Sequence, residues 1–405
     1  MHRTHALSGL LVAALAGHAH AAGFSLIEQS ASGLGNAYAG AAAVAQDAST
    51  LYFNPAGMAL LPDSQLVLAG HLIRPRAEFS GSVTPDIGGN QGGDAGGWAL
   101  VPNFYYARRL TPTLHAGIGV NAPFGLKTEY DDGWIGRYQA LKSEVKTINV
   151  NPSLAWKPTE NLAVGAGVSL QRIETTLSNF AGAAGTAKVQ GDDYSWGFNL
   201  GALWQVSPQT RLGLAYRSEI EHELEGKARF NAMPELNSGI TAKTTLPDSA
   251  SLSLFHRLSP QWELLADISW MGWSDFDELA IYRNSGSLLS YTPENWNDSM
   301  RYSLGATWHA SDRLSLRGGV AYDEAVVSEA DRTARIPDGP RTWLAVGGQY
   351  RLSRQDALDF GYAHLFVGDV RISSPAEGTI PMSPILTGAY DSAVDIISFQ
   401  YTHAF

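Results

Sequence analysis

The stretch Trp196-Gly197-Phe198-Asn199-Leu200-Gly201-Ala202-Leu203-Trp204-Gln205-Val206 alternates with a period of two. Trp196, Phe198, Leu200, Ala202, Trp204 and Val206 share one face; Ser195, Gly197, Asn199, Gly201 and Gln205 share the other, with Leu203 the exception. Successive side chains of a strand point to opposite sides, so this reads as a strand with one apolar face and one small or polar face. The pattern recurs. Met300, Tyr302, Leu304, Ala306 and Trp308 oppose Arg301, Ser303, Gly305, Thr307 and His309; Leu162, Val164, Ala166, Val168 and Leu170 oppose Ala163, Gly165, Gly167, Ser169 and Gln171.

A soluble sandwich alternates too, but two features point elsewhere. The polar face is rich in Gly, Ser, Asn and Gln, as expected of a wet or loosely filled lumen. The connections also fall into two alternating length classes. Six short turns, at 110–113, 157–161, 207–210, 259–261, 310–313 and 353–356, carry the Pro, Ser and Asp that suit tight turns. Seven longer polar connections lie between them, at roughly 80–96, 127–142, 179–192, 227–241, 275–297, 324–340 and 370–391. Thirteen connections join fourteen strands with both ends on the short-turn side, the arithmetic of a bacterial outer-membrane barrel. Trp156, Trp204, Trp262 and Trp308 each stand within a few residues of a short turn, where an aromatic girdle would mark one membrane rim.

Composition agrees. The 405 residues include no cysteine, so neither a disulfide framework nor a cysteine-ligated metal site is available. Lys and Arg number 28 against 39 Asp and Glu, a formal net charge of −11, which disfavours a nucleic-acid partner. Arg3 and His5 precede an apolar run, Ala6 to Ala16, followed by Ala19-His20-Ala21. This is the pattern of a secretory signal peptide over 1–21, too short for a membrane span. No later apolar run reaches the ~18 residues of a spanning helix.

Residues 22–62 do not alternate. They are rich in Ala, Gly and Ser, and charge is nearly absent between Ser30 and Gln46. About forty such residues cannot stabilise themselves alone, yet they are too uncharged for a solvated tail. Short helices packed inside the barrel are the economical reading. The expected architecture is therefore an all-β, 14-stranded antiparallel transmembrane barrel over 63–405, plugged by a small, mostly helical N-terminal hatch over 22–62.

Ala22-Gly23-Phe24-Ser25-Leu26, the run Ser32-Gly33-Leu34-Gly35-Asn36-Ala37-Tyr38-Ala39-Gly40, then Asp47-Ala48 and Asn54-Pro55-Ala56, resembles the N-terminal hatch of the FadL family of outer-membrane long-chain fatty acid transporters. Val101-Pro102-Asn103 and Phe124-Gly125-Leu126-Lys127-Thr128-Glu129-Tyr130 continue the likeness. The resemblance implies passive uptake of hydrophobic molecules, long-chain fatty acids foremost, through an apolar pocket and sideways release at an inward kink of the third strand. Aromatic or aliphatic hydrocarbons are the alternative cargo, and a water-filled diffusion porin is less favoured. Phe24 matches the family's ligand-touching Phe. The terminal Phe399, Tyr401, His403 and Phe405 share a face and resemble the sorting signal read by the barrel assembly machinery, with His403 a departure from it.

The third strand runs His115 to Leu126 and contains Pro123 and Gly125. Proline cannot donate to a ladder, and glycine bends easily, so a break is expected there. The lateral gate is accordingly placed at Asn121, Ala122, Pro123, Phe124 and Gly125, facing Ala99 to Pro102. Asn54-Pro55-Ala56 is expected to fix a tight turn that locks the hatch to the wall. No cation for a ligand carboxylate is assigned: Arg172 shares parity with Leu170 on the lipid face. His256 and His309 lie beside short turns and no nucleophile–base constellation emerges, so the chain does not read as an enzyme. No metal or cofactor is expected. The acidic loop clusters Asp131-Asp132, Asp192-Asp193 and Asp275, Asp277, Glu278 read as solvated surface, with a cation bridge to lipopolysaccharide the alternative. Outer-membrane lipid, a hydrophobic cargo and a monomeric state complete the expectation.

Overall fold

The computed structural model describes residues 23–375 and 384–405; the expected signal peptide lies outside the described residues. Fourteen antiparallel strands close into a barrel. In order they are Ser64–Thr84, Ala99–Thr111, the interrupted third (Leu114–Asn121 and Gly125–Glu129), Lys142–Thr159, Leu162–Phe180 and Thr186–Gln205. The seventh to tenth are each interrupted: Thr210–Arg217 with Ile220–Phe230, Ser238–Leu246 with Ser249–Arg257, Trp262–Met271 with Glu278–Arg283, and Leu288–Pro293 with Ser299–His309. Leu314–Asp323, Arg341–Arg351, Asp356–Val367 with Val370–Pro375, and Ile385–Ala404 complete the ring. The first strand pairs with the last from Gln65↔Ala404 to Thr84↔Ile385. Closure satisfies backbone groups that lipid cannot, which is why membrane-spanning sheets are barrels.

The six short turns fall where the sequence puts them. Four of the long connections are shorter than expected. The fifth and sixth strands stay paired up to Phe180↔Thr186, the seventh and eighth up to Ala228↔Ser238, the ninth continues to Arg283, and the thirteenth and fourteenth pair up to Pro375↔Ile385. These segments are strands standing clear of the apolar band, where no alternation of greasy and polar faces is demanded. Polar sequence there looks like loop.

The alternation itself holds. Trp196 is 70% exposed and Trp204 51%, whereas the exceptional Leu203 is 3% exposed and faces inward against Leu51 and Met58. Trp156, Trp204, Trp262 and Trp308 all face outward, and Trp262 stacks on its cross-strand partner Trp308 at 6.0 Å between ring centres. Arg172 also points outward, paired with Glu174 and Asp192.

Of the two causes expected for the small residues of the inner face, a wet or a loosely filled lumen, the described residues show a lumen filled at that level. The segment before the first strand folds as α1 (Ala31–Leu34), α2 (Ala41–Val44), α3 (Thr50–Phe53) and a 3-10 turn, Pro55–Leu60, all inside the barrel. A Cβ at Gly165 would stand 2.4 Å from the Ala56 nitrogen, and one at Gly213 2.0 Å from the Ala42 carbonyl oxygen. Glycine on these strands lets the segment's backbone touch the wall directly. Polar anchors add to the contact. Gln400 accepts from Ala31 N (3.1 Å) and donates to Asp47 (2.9 Å), Asp47 accepts from Ser32 Oγ (2.6 Å), and Arg301 donates to the Ala37 carbonyl (2.8 Å).

Candidate functional site

The wall is discontinuous at the third strand. Asn121 pairs with Asn149, and Gly125 with Lys146. Four steps on one strand thus oppose three on the next, so residues 122–124 form a β-bulge with one extra residue. Pro123 sits at its centre and has no N–H to offer. The Thr147 hydroxyl takes over the local bonding, accepting from Phe124 N (3.0 Å) and donating to Phe124 O (2.7 Å). The strand then resumes, so Pro123 interrupts it and does not end it.

The bulge turns the third strand from the second. Their ladder ends at Phe104↔Val120, while Ala99 to Asn103 pair only with the first strand, Ala99 opposite Ile73. Beside this unpaired edge Trp98 and Leu100 are 61% and 67% exposed. On the inner side, the chain's own N-terminal residues replace the missing neighbour. Ser25 bridges Phe124; Leu26 N donates to Pro123 O (2.8 Å), and Gly125 N donates to Phe24 O (3.0 Å). Gly125 is packed against Leu26, whose Cδ1 would lie 2.8 Å from an added Cβ. Gly23 is held in turn by Asp338 and Arg341, which are paired at 2.8 Å.

Phe24 is buried in an aromatic box. Its ring centre lies 4.8 Å from that of Trp273, 5.8 Å from Trp296 and 6.0 Å from both Phe124 and Phe276. Offset and edge-on rings at these separations attract beyond their burial. Above the box is an apolar cavity of about 70 Å³, walled by Leu126, Val145, Ile173, Leu224, Ile240 and Leu279 among others. Phe24, Leu126 and Ile336 line both this pocket and a second cavity. That second cavity extends past Ser25 to Lys127 and Pro75, on the third and first strands, and to Gly96 in the connection that precedes the second.

Five members of this site were not anticipated. Trp273, Phe276 and Trp296 come from interruptions in the ninth and tenth strands, the last two within the stretch 275–297 read as loop. Arg335 and Ile336 come from the connection 324–340, which folds back into the barrel mouth with Val326 and Val327 buried. Arg335 places a cation on the pocket wall, where the sequence assigned none. It lines the pocket, donating to Ser143 Oγ (3.3 Å) and toward the Lys142 and Ser178 carbonyls (3.5 Å each). Glu294 lines it too. A signal was present in the density of large apolar residues within 275–297, unusual for solvated loop.

Glu28 faces a third cavity with Arg301, Asp323 and Arg341 on its walls. Burial pushes its carboxyl up to about 7, against the lowering pull of its backbone and of Arg341 and Arg301. Asn54 is fully buried where expected. Its side-chain amide donates to the carbonyls of Ala42 (2.7 Å), Ala202 (3.0 Å) and Leu214 (3.4 Å), and its Oδ1 accepts from Ala56 N (3.0 Å). It thereby ties the inner segment to the sixth and seventh strands, with Pro55 at the first position of the 3-10 turn. His256 and His309 lie toward the short-turn end, bonded to Thr210 and Ser315, away from the pocket.

A closed barrel with an apolar face outside, a filled lumen and a greasy pocket is the construction of an outer-membrane protein that handles hydrophobic solutes. The chain belongs to the family described as outer membrane protein transport protein (OMPP1/FadL/TodX), which it matches over residues 12–405. It is 31% identical to Outer membrane protein P1 of Haemophilus influenzae over 402 residues, 86% of this chain and 87% of that one. To the long-chain fatty acid transport protein of Escherichia coli O6:H1 it is 27% identical over 406 residues, 89% and 91% of the two chains. The fold is that of a Pseudomonas aeruginosa FadL homologue, with a TM-score of 0.88 at 24% identity over 94% of this chain and 99% of that one. The Pseudomonas putida toluene transporter TodX superposes with a TM-score of 0.71 at 18% identity, covering 94% and 99% of the two chains. The protein is a bacterial outer-membrane β-barrel of a transporter family.

Proposed function

We propose that this barrel imports hydrophobic molecules passively, long-chain fatty acids foremost, by holding them in the apolar pocket and releasing them sideways at the third-strand bulge. A fatty chain gains about 0.8 kcal/mol per CH₂ on leaving water, so a wet pore offers it nothing while a dry pocket does. One observation carries the reading: Phe24 stands between the pocket and the cavity that leads to the unpaired edge of the second strand. Phe24 is then both a wall of the bound state and the partition a ligand must displace. Asn54, Pro55 and Ala56 keep the rest of the hatch in place during that movement, so the lumen does not open to water.

Arg335 beside Ser143 favours a carboxylate cargo over an uncharged hydrocarbon, because a buried guanidinium can give charge-assisted bonds to a head group. The test is uptake of labelled oleate and labelled toluene by cells lacking their own importer, with and without this protein. Oleate entry dependent on the protein is expected. Toluene entry alone would transfer the cargo to hydrocarbons, and entry of small sugars alone would make the barrel a diffusion pore.

A further inference from the structure

The two edges that separate at the bulge are joined by one side chain. Gln29 is fully buried, directly behind the gap. Its Oε1 accepts from Asn103 Nδ2 (2.7 Å) and from Tyr105 OH (3.4 Å), both on the second strand. Its Nε2 donates to Ala122 O (3.0 Å), on the bulge of the third strand, and to Leu26 O (2.8 Å). Both donors and both acceptor positions of the amide are therefore used. Its orientation is fixed by its partners, since the reverse placement would aim the amide oxygen at two carbonyl oxygens.

We propose that Gln29 is the latch of the lateral opening, the residue whose amide must let go before a hydrophobic ligand can pass between the second and third strands. The inference rests on the lateral-release reading above and assigns a gating role to a residue outside the pocket. The ladder between the two strands stops at Phe104↔Val120. Beyond that point Gln29 spans them directly, from Asn103, the first residue past the ladder on the second strand, to Ala122, the second past it on the third. Leu26 shares the same amide, so a displacement of Phe24 and Leu26 by ligand pulls on the bond to Ala122. Pocket occupancy and wall opening are coupled through adjacent residues of one short segment.

Two substitutions separate the halves of the bridge. Gln29→Met keeps length and removes all four bonds. Gln29→Glu keeps the acceptors for Asn103 and Tyr105 and loses the donors to Leu26 and Ala122. Because the native chain has no cysteine, Ala122→Cys gives a single reporter for maleimide labelling at the gap. In full-length protein purified in detergent, Gln29→Met is expected to raise the labelling rate at position 122 and the release rate of bound oleate by about tenfold. Oleate affinity at equilibrium should change less than twofold, and the heat-dependent gel shift of the folded barrel should stay the same. Gln29→Glu sets a carboxylate oxygen against the Leu26 and Ala122 carbonyls and should raise labelling and release at least as much as Gln29→Met. Unchanged labelling and release in both folded variants would overturn the latch, as would a loss of affinity equal to the gain in release. If deleting Pro123 leaves uptake intact, the exit route itself fails; if that deletion blocks uptake while the Gln29 variants behave as wild type, only the latch fails.

Discussion

Deleting Pro123 removes the one extra residue of the third strand and should seal the wall. With it gone, Asn121 to Gly125 would span three steps, matching Asn149 to Lys146 on the fourth strand. Facing is preserved, since Phe124 then opposes Thr147, which already points into the lumen. The straightened strand can pair with Ala99 to Asn103, which have no neighbour on that side; of these, Leu100 and Pro102 direct their backbone groups to the third strand, and Pro102 has no N–H, so about three ladder hydrogen bonds are gained. Two bonds to the inner segment, Leu26 N to Pro123 O and Gly125 N to Phe24 O, are lost. A net gain of about one bond at ~1 kcal/mol is roughly a fivefold bias toward the closed wall. The backbone groups involved border lipid, where leaving them unpaired is costlier than in water, so this is a lower figure. Uptake of labelled oleate by cells carrying the deletion should fall at least fivefold, with the protein still folded by its heat-dependent mobility on gels. Uptake within twofold of wild type from a folded deletion protein would refute lateral exit at this point.

Arg335→Gln should weaken oleate binding by roughly ten- to a hundredfold, the worth of one charge-assisted hydrogen bond, while leaving toluene binding unchanged; equal losses for both ligands would show that Arg335 shapes the pocket rather than reading a carboxylate. Glu28 makes the seating of the inner segment pH-dependent. Its carboxyl ordinarily titrates at 4.5 and here at about 7, so its contribution to seating is full below pH 4.5 and is lost as pH rises through 7, where the buried charge costs about 3 kcal/mol. Arg341, Arg301 and Asp323 face it, and the two arginines moderate that cost without removing it. Hydrogen-exchange protection of residues 23–30, corrected for intrinsic exchange, should therefore fall between about pH 4.5 and pH 7 and level off above, and Glu28→Gln should flatten the dependence; a wild-type profile as flat as the variant's would rule this out.

The barrel was legible because its rule is local and repeats. Period two, an apolar face and short turns at regular spacing are each visible within ten residues, and lipid enforces them on every strand. Pro123 was legible for a related reason. A missing N–H is a property of the residue itself, whatever surrounds it. Asn54 shows the limit of that kind of reasoning: the sequence suggested a tight turn tying the hatch to the wall but could not give the side chain's partners, Ala202 and Leu214, which lie some 150 residues away and meet it only after closure. The glycines of the inner face show a subtler failure. The residues were noticed, but the sequence left two causes open, because a wet lumen and a wall pressed against backbone both call for small side chains.

The pocket was least legible, and its composition says why. Phe24, Phe124, Trp273, Phe276 and Trp296 come from four separate parts of the chain, and none lies in a periodic run. Trp273 and Trp296 flank interruptions of neighbouring strands and approach to 4.9 Å because the ninth and tenth strands pair below them, from Trp262↔Trp308 to Met271↔Ser299, and above them, from Glu278↔Pro293. Uninterrupted, those strands would alternate through this level and send half of their residues to lipid. The breaks release the backbone so that consecutive large side chains can all turn inward. The same features that hide the site from a periodicity reading, broken strands and an inward-folded connection at 324–340, are what let a fourteen-strand wall enclose a dry pocket near its outer mouth. A continuous barrel of this sequence pattern would be better predicted and would hold nothing.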